Sequence, residues 1–225
     1  MGKFIVIDGI DGSGKTTQFE LCKKKLRDKT EFLELSFPTY EGGASAAVKM
    51  YLSGEITKTA DGVNAYAAAS FYAVDRYISF KRHWEQKFTA ANLVLSCRYT
   101  TSNVIHQTPK LPEAEREKYI DWLYDYEFVK LGLPKPDSVI YLNMPVEASQ
   151  ILLSKRYNND SVQKDIHEND ISYLNECYDA ALFAAKKLDW IIIDCAKKTD
   201  SGYIFLPEEE INKIIMREIE KVNHA

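Results

Sequence analysis

The sequence predicts an α/β fold in which a parallel five-stranded sheet is flanked by helices. Short apolar runs alternate with longer segments of helical periodicity, and this alternation is typical of strands joined by crossover helices. A glycine-rich turn after the first run is a second indication. The runs with strand character span residues 4–7, 32–37, 93–97, 139–142 and 190–193. No repeat or low-complexity linker divides the chain, so we expect residues 1–225 to form a single domain.

The segments between these runs carry the signals of helices. Residues 63–87 contain no proline or glycine and place apolar side chains at helical spacing. A further helix is predicted over 112–129, where Pro112 followed by acidic residues is a favourable helix start. Later helices are predicted over 169–188 and 207–222.

Composition limits the class of partner. The chain has 29 basic and 33 acidic side chains and a net charge of -4. Because general nucleic-acid binders are usually basic, we expect no nucleic-acid partner, and any polyanionic ligand should be small and locally bound. The four cysteines form no C-x-x-C pair and suit a reducing compartment. No apolar run is long enough to span a bilayer, so the sequence predicts a cytoplasmic protein without a membrane partner.

Residues 9–16 read G-I-D-G-S-G-K-T and match the phosphate-binding pattern G-x-x-x-x-G-K-[ST]. The glycines allow backbone N–H groups to close on phosphate oxygens, and the helix that follows directs its positive end there. Lys15 can reach the outer phosphates of a nucleotide, and Thr16 can place its hydroxyl on Mg²⁺. The residues predicted to bind the phosphate donor are Gly9, Gly12, Ser13, Gly14, Lys15, Thr16 and Thr17.

Asp11 lies inside this loop, where a carboxylate would repel a phosphate. It is therefore predicted to bind Mg²⁺ or a substrate hydroxyl, or to pair with an arginine. The alternative is a contact with the backbone that stabilises the turn. Asp8, at the end of the first strand, could reach metal-bound water.

Other polar residues could recognise a second ligand, since ligands bind at the carboxyl ends of parallel strands. Arg98 follows a strand and could clamp a second phosphate, and the Asn103 amide could read a base. Tyr72 and Arg76 lie four residues apart on one helix face, where a ring can stack on a base and a guanidinium can bond its edge. Capping, ion pairing and core packing are the alternatives for these residues.

Basic residues flank the polar segment 157–163, which is predicted as a mobile loop between helices. They are Lys155, Arg156 and Lys164. Phosphoryl transfer requires positive charge on the transferred oxygens and exclusion of water, and a closing lid with cations supplies both. We therefore predict a lid at about 155–168; a solvated charged loop is the alternative.

In this order and spacing, the motifs resemble the thymidylate kinase family, whose members phosphorylate dTMP to dTDP. The likeness extends over nearly the whole chain. Residues 8–17 resemble the phosphate loop of that family, including its internal aspartate, and residues 37–40 resemble its F-P-x-[RY] element. Residues 71–76 are similar to its base-binding helix, and residues 97–103 to its D-R-Y-x-x-S-N signature. The L-P-K-P-D run at 133–137 fits as well.

The resemblance implies the fold of P-loop nucleoside monophosphate kinases, MgATP as the phosphoryl donor, dTMP as the acceptor and a homodimer formed through the long helices. It implies that Tyr40 and Arg98 hold the dTMP phosphate. It also implies that Tyr72 stacks on thymine and that Arg76 bonds the edge of the base. The remaining implied contacts are Asn103 near the base, His106 beneath a deoxyribose and Arg156 on the adenine side.

The chain departs from the family pattern at two places. The family has an aspartate where this chain has Cys97, and a neutral thiol replaces neither its charge nor its oxygen ligands for Mg²⁺. The predicted lid lacks an arginine after Tyr157, so Lys164 is predicted to supply charge in the transition state. Two alternatives stay open: a nucleotide-binding homologue with weakened catalysis, and a kinase for another pyrimidine monophosphate. The predicted catalytic residues are Lys15, Asp11, Arg98 and Lys164.

Overall fold

The structure, a computed structural model, describes residues 2–40, 43–157 and 171–224 and confirms the parallel five-stranded sheet. The strands are β1 (Lys3–Asp8), β2 (Leu33–Ser36), β3 (Leu93–Cys97), β4 (Ser138–Asn143) and β5 (Ile191–Asp194). Their order in the sheet is β2-β3-β1-β4-β5, which puts β1 at the centre. Because every pairing is parallel, the carboxyl ends of β1, β3 and β4 meet at one edge, where this type of sheet binds its ligands.

Helices cover both faces of the sheet. They are α1 (Lys15–Arg27), α2 (Ala46–Leu52), α3 (Ala65–Ser79), α4 (Glu85–Ala90), α5 (Thr100–Gln107), α6 (Glu113–Tyr124), α7 (Val146–Tyr157), α8 (Ile171–Lys187) and α9 (Glu208–His224). The helix predicted over 63–87 is α3 and α4 joined by a π-helical turn, Phe80–Trp84. The helix predicted over 112–129 is α6 extended by a second such turn, Asp125–Lys130. The later predictions correspond to α8 and α9.

Each face of the sheet packs on its own set of helices. Successive side chains of β1 point to opposite faces, so Phe4 and Val6 join one cluster while Ile5 and Ile7 join the other. The first cluster includes side chains of α3, α5, α6 and α8, and the second includes those of α1 and α9. The four β1 side chains are at most 1% exposed. This burial on both faces is the reason that the strand is a continuous apolar run in the sequence.

The structure contains elements that the sequence analysis did not predict. Strands β6 (Ala196–Thr199) and β7 (Gly202–Phe205) form an antiparallel hairpin after β5. The hairpin is anchored beside the main sheet, because the Leu206 N–H donates to the Cys195 carbonyl and the Cys195 N–H donates to that of Asn143. Strand β6 reads A-K-K-T and β7 reads G-Y-I-F, and neither alternates apolar and polar residues, so periodicity could not reveal them.

Lys110 joins α2 to the start of α3. Its Nζ donates hydrogen bonds to the Tyr51 hydroxyl at 2.7 Å and to the Val63 carbonyl at 2.9 Å. Burial lowers the pKa of Lys110 from 10.5 to about 8, although nearby Cys177 and Asp61 act in the opposite direction. The folded chain therefore releases this proton at a lower pH than the unfolded chain does.

We expect the free energy of unfolding of the native protein to rise between pH 8 and pH 10 relative to that of a Lys110→Met variant. In this window the unfolded chain binds more protons than the folded one, so stability increases with pH. Over this window the relative gain should be about 2 kcal/mol. Urea denaturation of both proteins across the pH range measures it, and parallel pH profiles would contradict the expectation.

Candidate active site

The phosphate loop turns from β1 into α1 through backbone conformations that favour glycine. Gly12 and Gly14 have φ angles of 77° and 83°, in the left-handed region. A Cβ at Gly12 would lie 2.7 Å from the carbonyl oxygen of Ser149, because α7 packs directly against the loop. No described side chain caps the first turn of α1, so its N–H groups are available to an anion. The predicted phosphate cradle is thus present in the backbone.

Asp11 joins the phosphate loop to the far side of the site. Its carboxylate lies 3.3 Å from the Lys15 Nζ and also accepts a hydrogen bond from the Arg98 guanidinium. Burial would raise the pKa of the Asp11 carboxyl, but the charges of Arg98 and Lys15 outweigh burial and hold the pKa well below its usual value. Of the partners predicted for Asp11, the structure shows the arginine, and it adds Lys15 as a second cation on the same carboxylate.

Arg98 occupies a strained position immediately after β3. Its φ angle of 63° lies in the left-handed region, which is uncommon for a residue with a side chain. Its carbonyl accepts a hydrogen bond of 2.6 Å from the Ser96 hydroxyl, and its NH1 lies 3.4 Å from Nε2 of His106. Burial disfavours the charge of Arg98, but Asp11 and Asp8 raise its pKa overall. The guanidinium is therefore charged and directed at Asp11, inside the phosphate loop.

Asp8 is fully buried and accepts hydrogen bonds from protein donors. Its Oδ2 accepts from the hydroxyls of Thr101 at 2.6 Å and Ser102 at 2.8 Å, and its Oδ1 accepts from the Gly9 N–H at 2.8 Å. These contacts link β1 to α5 through the Asp8 carboxylate, and its suggested reach to metal-bound water stays a prediction.

Cys97 lies beside Thr16, the residue predicted to bind Mg²⁺. The thiol is 5% exposed and shares a hydrogen bond with the Thr16 hydroxyl. Burial raises the pKa of the Cys97 thiol, and Lys15 and Arg98 only partly offset this effect. The side chain is therefore a neutral thiol at neutral pH and adds no negative charge next to Thr16.

The residues predicted to bind the acceptor line a single cavity beside Arg98. They are Asp11, Tyr40, Tyr72, Arg76, Arg98, Asn103 and His106. The wall also contains Phe37, Pro38, Leu52, Tyr99, Ser102 and Gln107. Sequence reasoning missed Leu52 because it did not predict α2. It also missed Gln107, whose buried Oε1 has no hydrogen-bond partner among the described residues and which directly follows His106.

The turn that carries Tyr40 is attached to α3. Both the N–H and the hydroxyl of Thr39 donate to the Asp75 carboxylate, at 2.9 and 2.6 Å. Asp75 immediately precedes Arg76, so the same stretch of α3 contributes to the cavity wall and positions the turn across from it.

Arg76 is less available to a base than the sequence analysis expected. The side chain is 2% exposed, and its Nε and NH2 both donate to the Glu127 carboxylate. That edge of the guanidinium is already occupied, so only the NH1 side remains for a ligand. Glu127 was not identified from the sequence, where it is one of several acidic residues near the end of a predicted helix.

The predicted lid lies largely outside the described residues. Lys164 and the side chain of Arg156 belong to that part, whereas the backbone of α7 is described as far as Tyr157. The proposed roles of both residues therefore stay predictions.

Comparisons with known proteins agree with this geometry. The family model described as "Thymidylate kinase" matches residues 7–201. The chain is 31% identical to the thymidylate kinase of Mycobacterium tuberculosis over 74% of this chain and 78% of that protein. It is 27% identical to the thymidylate kinase of Plasmodium falciparum over 98% of this chain and 91% of that protein.

A solved thymidylate kinase structure from Candida albicans has the same fold. The two superpose with a TM-score of 0.68, covering 100% of this chain and 94% of that one, at 19% sequence identity. The matched residues include the phosphate loop and all the residues that line the cavity. The chain therefore belongs to the thymidylate kinase family.

Proposed function

We propose that this protein transfers the γ-phosphoryl group of ATP to dTMP, giving ADP and dTDP, a step toward dTTP. The observation that carries the proposal is that the Asp11 carboxylate joins Lys15 of the phosphate loop to Arg98 of the acceptor cavity. Because Lys15 and Arg98 contact the same carboxylate, a phosphate group bound to one of these cations would lie next to a phosphate group bound to the other. The family match and its relatives support the same reaction.

The attacking group in this reaction is itself a phosphate oxygen and needs no strong general base. Catalysis then depends on positioning and on neutralising charge. The loop N–H groups and Lys15 hold the donor phosphates. Arg98 and Tyr40 hold the acceptor phosphate, which replaces the Asp11 carboxylate against the Arg98 guanidinium. The cavity wall supplied by Tyr72 encloses the base.

The residues of the loop fit the Mg²⁺ ion that accompanies ATP. Mg²⁺ prefers oxygen ligands and is usually held by one or two protein oxygens together with substrate phosphates. The Thr16 hydroxyl is exposed at the start of α1, and the Asp11 carboxylate is ionised, so both would serve. When bound, the ion neutralises charge on the β- and γ-phosphate oxygens. The neutral thiol of Cys97 fits this ion poorly.

The remaining assignments extend the same proposal. Residues 1–225 are proposed to form one kinase domain with a lid at about 155–168. In the proposed lid, Arg156 lies beside adenine and the Lys164 ammonium binds the transferred phosphoryl group. Turnover of a Lys164→Met variant tests the lid cation, and an unchanged kcat would exclude it. A cytoplasmic location is also proposed, supported by the scattered spacing of the four cysteines, which includes no C-x-x-C pair. No helix within the described ranges is long and apolar enough to cross a membrane.

A coupled assay of ADP formation tests the reaction. dTMP, dUMP, UMP and dCMP are compared as acceptors with MgATP, and dTMP is expected to give the highest kcat/KM. Preference for a cytidine nucleotide would replace this assignment with another pyrimidine monophosphate kinase. Calorimetric binding of dTMP and ATP without ADP formation would indicate a nucleotide-binding homologue that has lost catalysis.

A Cys97→Asp substitution is expected to raise kcat severalfold or more. The carboxylate would stand beside Thr16 and add a negative charge and oxygen ligands next to the metal, which the neutral thiol does not provide. Steady-state kinetics at saturating MgATP and dTMP measures the change, and Cys97→Ala is the matched control, expected to retain the native rate. An unchanged or lower rate for Cys97→Asp would show that another group already performs this role.

We also propose that a second copy of this chain covers an exposed face of α3. Tyr66, Val74 and Tyr77 share that face and are 37%, 45% and 38% exposed. Ala65 and Ala68, near the start of the same helix, are buried inside the chain and cannot form this contact. The larger outward side chains therefore form the proposed interface.

A Val74→Asp substitution is expected to convert the dimer to a monomer, because it places a charge in the centre of an apolar contact. Sedimentation velocity measures the change, and Ile204→Asp, at a side chain 63% exposed on β7, is the control expected to leave the assembly unchanged. A native protein that sediments as a monomer would refute the interface.

A further inference from the structure

One buried carboxylate contacts two residues of the acceptor cavity wall, one on α3 and one on α5. Glu127 is fully buried in the π-helical turn after α6. Its carboxylate accepts from the Arg76 Nε at 2.7 Å, from the Arg76 NH2, from the Thr100 hydroxyl at 2.7 Å and from the Asn103 Nδ2 at 3.2 Å. Arg76 and Asn103 both line the cavity and Glu127 does not, so Glu127 contacts two residues of the cavity wall without forming part of it.

The contacts of Asn103 determine which way its amide faces. Its Nδ2 donates to Glu127 and, at 3.2 Å, to the carbonyl of Ala69. A carboxylate and a carbonyl are acceptors only, so the amide nitrogen must face them and the oxygen must face away. Asn103 therefore offers its Oδ1, an acceptor, to a ligand in the cavity.

The contacts of Arg76 make it a fixed donor. Its Nε and NH2 edge is held by Glu127, and its NH1 lies 3.4 Å from the Tyr99 carbonyl. A guanidinium has five N–H groups and no acceptor, so every group that it still offers to the cavity is a donor. The buried ion pair also prevents the side chain from turning away.

We propose that Glu127 is a positioning residue that sets base specificity, by holding Arg76 as a donor and Asn103 as an acceptor toward the base. The inference rests on the proposed function. Thymine and uracil present a carbonyl oxygen next to a ring N–H, which complements this pair. Cytosine presents an amino group next to a bare ring nitrogen, so both contacts would be mismatched. Sites built on paired hydrogen bonds reject such analogues strongly, because their buried groups are left unpaired.

The test compares discrimination between dTMP and dCMP in native protein and in a Glu127→Gln variant. The introduced amide directs an N–H₂ group at Arg76 or Asn103, which are donors, so one of them must turn. The ratio of the dCMP inhibition constant to the KM for dTMP should fall by about tenfold or more. The KM for ATP should stay unchanged. A merely structural role would lower the amount of active enzyme, and that loss cancels in the ratio.

Two further variants keep the test decisive. Glu127→Asp retains the charge opposite Arg76 but withdraws the carboxylate by one methylene, and it should lower the ratio severalfold. Ile215→Ala, in the cluster on the other face of the sheet, is a destabilised control expected to keep the native ratio. If Glu127→Gln does not fold, Glu127→Asp decides. A ratio within twofold of the native value in the variants that fold overturns the inference.

The outcome is separable from that of the proposed function. Native protein that does not phosphorylate dTMP refutes the reaction itself. Native protein that phosphorylates dTMP, with variants that keep its base discrimination, refutes only the role of Glu127.

Discussion

An Arg98→Met variant is expected to have a kcat/KM for dTMP roughly a thousandfold below that of the native protein. The guanidinium, which pairs with Asp11, is the cation proposed to exchange that carboxylate for the acceptor phosphate, and methionine keeps the bulk of the side chain without its charge. Its loss removes both the binding of the acceptor and the neutralisation of charge in the transition state. Coupled assays at varied dTMP concentration and saturating MgATP measure the change.

Two control variants distinguish the effect of the Arg98 charge from the effect of its hydrogen-bond geometry. Arg98→Lys restores the charge but not the planar fork, so it should recover only part of the lost activity. Arg27→Met, at an exposed position on α1, should leave kcat/KM unchanged. The KM for ATP should change little in all variants. A loss smaller than tenfold in Arg98→Met would mean that another residue holds the acceptor phosphate.

A Lys15→Met variant is expected to lower kcat by roughly a thousandfold. The Lys15 ammonium is 3.3 Å from the Asp11 carboxylate and 3.0 Å from the Ile10 carbonyl, so it is held within the loop that we propose binds the donor phosphates. Removing it leaves the developing charge on these phosphates without its main protein cation. Single-turnover measurements with ATP and dTMP report the effect on the chemical step.

dTMP binding is the readout that distinguishes this variant from Arg98→Met. Lys15 does not line the cavity proposed to bind dTMP, so calorimetry should give a dTMP affinity close to that of the native protein. Lys24→Met, at an exposed position on the same helix, should behave as the native protein does. A kcat near the native value in Lys15→Met would contradict the assignment of the phosphate loop.

Periodicity and local motifs predicted much of the fold. The five strands were found because buried strands of a parallel sheet are continuous apolar runs, as in β1. The long helices were found from their apolar spacing, but not the π-helical turns inside them, since a π turn adds a residue without changing composition. The β6–β7 hairpin and α2 were missed because short, partly polar elements depend on neighbouring elements for their stability.

The cavity was predicted more fully than its internal contacts. The seven residues expected to bind the acceptor all line it, although they come from several separate segments of the chain. The amino-acid types of these residues did not reveal where their side chains point. The sequence placed Arg76 on a helix face with no evident partner, but in the structure it forms an ion pair with Glu127, 51 residues further along the chain.

The sequence alone determined the phosphate loop, because a loop of backbone N–H groups, a lysine and a hydroxyl is specified by consecutive residues and their conformational freedom. It also determined the sheet, since each strand is visible as an apolar run, most clearly in β1 and β3, which are buried on both faces. Only the tertiary structure decided that Asp11 links Lys15 to Arg98 and that Glu127 accepts hydrogen bonds from Arg76 and Asn103. The physical reason is that a polar group buried away from water takes whichever partner the packing brings to it, and packing joins residues that are remote in the chain.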